Sequence, residues 1–133
     1  MENKNKIIFA IAIVLLVTFF IIDNQPLDKT VIPASFLLGE RTGFDLTPGE
    51  LTFGKIEINQ SASRGILISN NFNRPIKIII ESKGDISKNL IVSENNFKLE
   101  PNESKEITFS IFTKGLTEFK SYEGKVIIIS KKV

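Results

Sequence analysis

Pro75-Ile76-Lys77-Ile78-Ile79-Ile80-Glu81-Ser82 decides the fold of this chain. Ile76, Ile78 and Ile80 recur at every second position, the period at which a β-strand turns alternate side chains to opposite faces. The same period runs outward in both directions. Ile66 and Ile68 alternate with Leu67 on one side, and Ile107, Phe109 and Ile111 alternate with Thr108 and Ser110 on the other. These sets are the predicted core. Strands are predicted over 51–58, 64–69, 75–82, 90–92, 97–100, 105–112 and 124–131, at the spacing that marks an all-β module. Turn chemistry separates them: Asn70-Asn71-Phe72-Asn73, Lys83-Gly84-Asp85, Glu94-Asn95-Asn96 and Pro101-Asn102-Glu103. No helical signal of useful length follows Pro26. The pattern therefore predicts seven strands in two antiparallel sheets packed face to face.

The first 23 residues have a different character. Residues 7–22 are apolar except for Thr18, with Lys4 and Lys6 before them and Asp23 after. A helix of that length reaches about 24 Å, and a hydrocarbon core of about 30 Å is met by extension towards Asn24 and by snorkelling of Lys6. A cleaved signal peptide is the competing reading, but Ile21, Ile22 and Asp23 supply no small-residue cleavage site. The expectation is a retained single-pass anchor at 7–23, touching lipid through 7–22. A short tail at 1–6 is held on the cytoplasmic side by its lysines, and everything downstream is extracytoplasmic.

Residues 24–46 are interrupted by Pro26, Pro33, Gly39 and Gly43 and read as a tether. It carries an apolar segment at 31–38, expected to pack on the module's edge or on that of a neighbouring copy. Thr47-Pro48-Gly49-Glu50 is a turn that opens the module at 47–133. Of the chain's 17 basic and 15 acidic residues, the first 23 positions hold Lys4, Lys6, Glu2 and Asp23, which leaves the rest nearly neutral. No basic excess of the kind nucleic-acid binding requires is present, so nucleic acid is not an expected partner. There is no cysteine, hence no disulfide framework.

Leu51-Thr52-Phe53-Gly54-Lys55-Ile56, Gly65-Ile66-Leu67-Ile68-Ser69-Asn70-Asn71 and Arg74-Pro75-Ile76-Lys77-Ile78 follow one another as the opening strands of a known pattern. Phe97-Lys98-Leu99-Glu100-Pro101 leading into Ile107-Thr108-Phe109, and then Tyr122-Glu123-Gly124-Lys125-Val126, continue it. Over 46–131 the chain resembles the immunoglobulin-like domains of the major-sperm-protein and ASPM-SPD-2-Hydin group. The resemblance implies an immunoglobulin-like β-sandwich, and similar passages occur in exported sandwich domains of many roles. Members of that group are otherwise cytosolic or ciliary, and the N-terminal anchor is a departure from them.

Histidine and cysteine are both absent, which removes the commonest general base and the thiol nucleophile, so no catalytic residue is assigned and no enzyme activity is expected. Neither zinc-type ligands nor a calcium loop is present, and no metal or cofactor is expected. Tyr122 precedes the last strand, where a corner tyrosine bonds the backbone. Gly124 marks a close backbone approach or a bulge. Asn59-Gln60-Ser61 and Asn102-Glu103-Ser104 make Asn59 and Asn102 candidate glycosylation sites.

The residues that stand out are apolar ones on a second strand face: Ile79, Phe112, Ile127 and Ile129. With Val31, Ile32, Phe36, Leu37 and Leu38 of the tether they form the expected partner-binding set, covered either by the tether itself or by another protein. The expected function is that of a non-enzymatic, membrane-anchored surface protein whose external β-sandwich mediates protein binding or assembly in a cell-envelope complex. The alternative is a filament or layer subunit in which 31–38 of one copy completes the sheet of the next.

Overall fold

The computed structural model describes residues 2–23, 25–39 and 49–133. It contains one apolar N-terminal helix, α1 (Glu2–Asp23), and eight strands in two sheets. The helix is longer than the apolar run alone suggested. Glu2 in its first turn pairs with Lys6 one turn on, at 3.2 Å, so residues expected as a separate tail continue the helix. At about 1.5 Å per residue its 22 residues reach roughly 33 Å, enough for a bilayer core. Residues Glu2–Ile22 have the length and composition of a membrane span.

The strands are β1 (Asp28–Leu38), β2 (Leu51–Ile56), β3 (Ser61–Ser69), β4 (Ile76–Gly84), β5 (Leu90–Val92), β6 (Phe97–Leu99), β7 (Ser104–Phe112) and β8 (Ser121–Lys132). Seven of them lie where the apolar period placed them. The eighth, β1, corrects the tether. The segment 31–38, expected to pack on the module's edge or on that of a neighbouring copy, belongs to a strand over 28–38 that lies between β2 and β8, in a sheet of order β2-β1-β8-β4-β6. β1 runs antiparallel to β8 from Asp28 opposite Ser130 to Leu37 opposite Ser121. It runs parallel to β2, a second departure from the all-antiparallel expectation. Nor does the segment cover the sheet's outer face, since it widens that sheet by one strand. The other sheet has the order β3-β7-β5.

One hydrophobic cluster draws on both sheets. Phe36, Leu38, Ile76, Ile78, Ile80, Leu99, Val126 and Ile128 come from the five-stranded sheet, and Ile68, Ile107, Phe109 and Ile111 from the three-stranded one. The predicted core sets are therefore buried, apart from Ile66, which is half-buried. Arg64 on β3 ties the sheets at their margin by donating from Nη1 to the Thr52 carbonyl of β2 at 2.9 Å.

Tyr122 is stacked on Phe36 with ring centroids 4.7 Å apart, and its hydroxyl donates to the Glu118 carbonyl at 3.0 Å. That is the corner role expected for it.

Polar side chains finish what the strands leave open. β6 pairs only with Ile76–Ile78 of β4, and beyond it the Asn95 amide takes the place of a strand. Its Oδ1 accepts from Ile80 N–H and its Nδ2 donates to Ile80 C=O, both at 2.8 Å. Asn70, wholly buried, does more. Its Nδ2 donates to the carbonyls of Arg74 and Leu99, and its Oδ1 accepts from Phe72 N–H. Asn70→Ala is expected to lower unfolding free energy by about 2 kcal/mol, because it strands buried backbone groups as well as losing their bonds. Urea unfolding measures this, and a change within about 0.5 kcal/mol would show that water replaces the amide.

Candidate interaction surfaces

Strand register sorts the expected partner-binding residues into three environments. Phe36 and Leu38 belong to the core, and Ile32 is half-buried against it. These three are corrected from partner contacts to packing residues, because even-numbered positions of β1 face the other sheet. Val31 and Leu37, the odd ones, face outward and are exposed.

The outer face of the five-stranded sheet collects most of the rest. Ile79 on β4 lies opposite Ile129 on β8, and Ile127 on β8 lies between Glu81 on β4 and Val31 on β1. The four apolar residues form a band across three strands. Val31 is 50% exposed, whereas Ile79 and Ile129 are half-buried and Ile127 is only 2% exposed. Ile127 is therefore a structural member of the band, not a contact residue. Lysines border the band on both sides. One row holds Lys98, Lys77 and Lys131 from β6, β4 and β8, and the other holds Lys83 opposite Lys125, with Lys29 beside Ile129. Lys98 is paired with Glu100 at 2.7 Å. Lys29, Lys77, Lys83, Lys125 and Lys131 form no ion pair among the described residues.

Phe112 lies elsewhere, on the outer face of the three-stranded sheet. It is opposite Ser61 and is 44% exposed, and Ile91, opposite the next outward residue Ser110, is 57% exposed. Leu67, 67% exposed, stands at the far end of the same face opposite Glu106. Between these ends the floor is small and hydroxylated. Ser63 and Ser110 share a hydrogen bond of 2.7 Å and the Glu106 side chain lies over Gly65, while Ser69 and Ser104 share a bond of 2.7 Å just beyond Leu67. A shallow depression lined by Asn59, Gln60, Ser61 and Lys114 adjoins the Phe112 ring.

Sequence reasoning missed Leu67 and Ile91. Leu67 alternates with the core residues Ile66 and Ile68, and nothing in the pattern marks it as a contact, while β5 is too short for its period to show a face.

Asn59 and Asn102 are both exposed and left-handed, with φ of 59° and 64°, a conformation asparagine tolerates in turns. Among the described residues no group of three His, Cys, Asp or Glu side chains is gathered as a metal site. Gly84 and Gly124 face each other where β4 meets β8. Each approaches the other strand's backbone too closely for a side chain.

Searches of protein-family models, characterised proteins and solved structures return no match to this chain.

Proposed function

We propose that this chain is a non-enzymatic, single-pass membrane protein whose immunoglobulin-like β-sandwich stands on the extracytoplasmic side and binds a protein partner of the cell envelope. The observation that carries the reading is the outer face of the three-stranded sheet. It combines exposed Phe112, Ile91 and Leu67 with a floor of serine, threonine and glycine, and the one charged residue among the outward positions of its strands is Glu106, with Lys114 at the margin beside Phe112. Apolar anchors set among uncharged groups, with few ions to desolvate, are the composition of an interface core. A surface built only for solubility carries mixed charges instead.

Lys4 and Lys6, in the first turns of α1 ahead of its apolar run, support the orientation. The absence of histidine and cysteine from the chain supports a binding role over a catalytic one. The alternative, strand donation by 31–38 between copies, has less support. β1 is bordered by β2 and β8 of its own chain, so exchange requires the same long register to open and re-form.

The test uses the cysteine-free background. A single Phe112→Cys, carrying a photocrosslinker in native membranes, is expected to give one discrete adduct. Ile91→Asp in the same chain is expected to reduce that adduct at least tenfold, the loss produced by removing an apolar anchor from an interface centre. An adduct unchanged by Ile91→Asp and equally abundant from an exposed site on the other sheet such as Lys77→Cys would contradict the proposal.

A further inference from the structure

We propose that the outer face of the five-stranded sheet docks on the anionic headgroup surface of the membrane that α1 enters. Three observations converge on it. The first is charge. Lys29, Lys77, Lys83, Lys125 and Lys131 share this face with Glu81 and Glu123 in the register of β1, β4 and β8, whereas the whole chain is nearly balanced. The second is placement. Lys77 lies directly opposite Lys131, and Lys83 directly opposite Lys125. Like charges in direct cross-strand register destabilise a sheet, and two such pairs on one face are explained by an external anion that neutralises them. The third is reach. Pairing with β8 begins at Leu27, whose N–H donates to the Ser130 carbonyl at 2.7 Å, and α1 ends at Asp23. The short connector spans at most roughly 15 Å, so the strand bearing Lys29 and Val31 starts close to the headgroups.

The chemistry fits a lipid surface better than an acidic protein. Lysine is a compact, hydrated point charge on a flexible stem, suited to a field of phosphates, while bidentate recognition of carboxylates favours arginine. Arginine is absent from this face. The Ile79, Ile129 and Val31 band gives the lysine stems apolar surface to lie along while their ammonium groups reach outward. Each lysine near an anionic surface contributes about a fivefold increase in binding. The inference rests on α1 being a membrane anchor.

The test places the full chain, carrying a polarity-sensitive fluorophore at Val31→Cys, in phosphatidylcholine vesicles with or without phosphatidylglycerol. A second preparation is labelled at Leu67→Cys on the other sheet. Blue-shifted emission is expected from the Val31 site in anionic vesicles only, reversed by high salt, with no change at the Leu67 site. Lys77→Gln with Lys131→Gln is expected to weaken the docked population roughly twentyfold.

Emission at Val31 that is the same in both lipids, or an anionic response untouched by the two substitutions, overturns the proposal. So does a label that stays wet in anionic vesicles but is buried in native membranes, which would assign the face to a protein partner. Alkaline extraction of the vesicles after the fluorescence reading judges the anchor separately. Release of the chain there removes the anchor reading, while retention with a wet Val31 label removes only the docking.

Discussion

Phe36→Ala is expected to lower unfolding free energy by about 3–5 kcal/mol, the range for removing a buried aromatic ring. Phe36 is among the largest fully buried side chains, and its ring stacks on Tyr122 at an interplanar angle of 5°. Loss of the ring opens a cavity in the core on the inner face of β1 and β8 and removes the surface that holds the corner tyrosine in place. Domains of this size have total stabilities of only about 5–15 kcal/mol, so the melting temperature is expected to fall by roughly 15–30 °C. Val31→Ala, on the same strand but facing outward, is the control and is expected to stay within about 1 kcal/mol. Calorimetry on the two variants separates the possibilities. Equal, small effects would mean that 28–38 is not a structural strand.

Gly124→Val is expected to be as damaging by the opposite route, overpacking. A Cβ at Gly124 would fall against the Lys83 carbonyl oxygen and 2.7 Å from Ile86 Cγ2. The first is backbone and the second belongs to a side chain with no exposed surface, so neither can move aside cheaply. Gly84, directly across, is equally constrained: its φ is +94°, and a Cβ there would lie 2.7 Å from the Gly124 Cα. The paired glycines let β4 and β8 close where the three-residue-spaced turn of Asp85–Lys88 begins. A loss of about 3 kcal/mol or more is expected for the valine. Gly65→Ala, where a new Cβ meets only the flexible Glu106 carboxylate, is expected to change stability by less than about 1 kcal/mol. Similar urea midpoints for the two variants would refute the close approach.

The core and seven strands were legible because alternate-residue burial leaves a local record. Ile76, Ile78 and Ile80 cannot alternate as they do on any other backbone period. The place of 31–38 inside the module's own sheet was not legible, for a reason just as physical. Pro33 argues against a central strand, since proline has no N–H to give to a ladder. Among the described residues the ladder to β2 begins at Ala34 opposite Leu51, so Pro33 sits just before it, where β1 is paired with β8. The backbone-clamping roles of buried Asn70 and exposed Asn95 were hidden because an asparagine that clamps strand backbone and one that caps a solvated turn look the same in sequence.

The surfaces were legible only by halves. The apolar residues Ile79, Ile127 and Ile129 were visible as exceptions to alternation, and Phe112 as the last outward residue of its run. Which of them share a face depends on register between strands tens of residues apart. The opposition of Lys77 to Lys131, of Lys83 to Lys125, and of Ile79 to Ile129 exists only once β4 and β8 are paired. The separation of Phe112 onto the other sheet follows from β7 pairing with β3 and β5.

β1 completes the five-stranded sheet of its own chain, and both proposed surfaces depend on that pairing. Ser35→Cys and Glu123→Cys place one thiol on β1 and one directly opposite on β8, in a chain with no other cysteine. Mild oxidation of this variant in membranes, followed by non-reducing electrophoresis, is the most direct measurement. The account predicts a fast-migrating monomer with an internal disulfide at every dilution. A ladder of disulfide-linked dimers and higher oligomers at the expense of that monomer would contradict it and establish strand donation between copies.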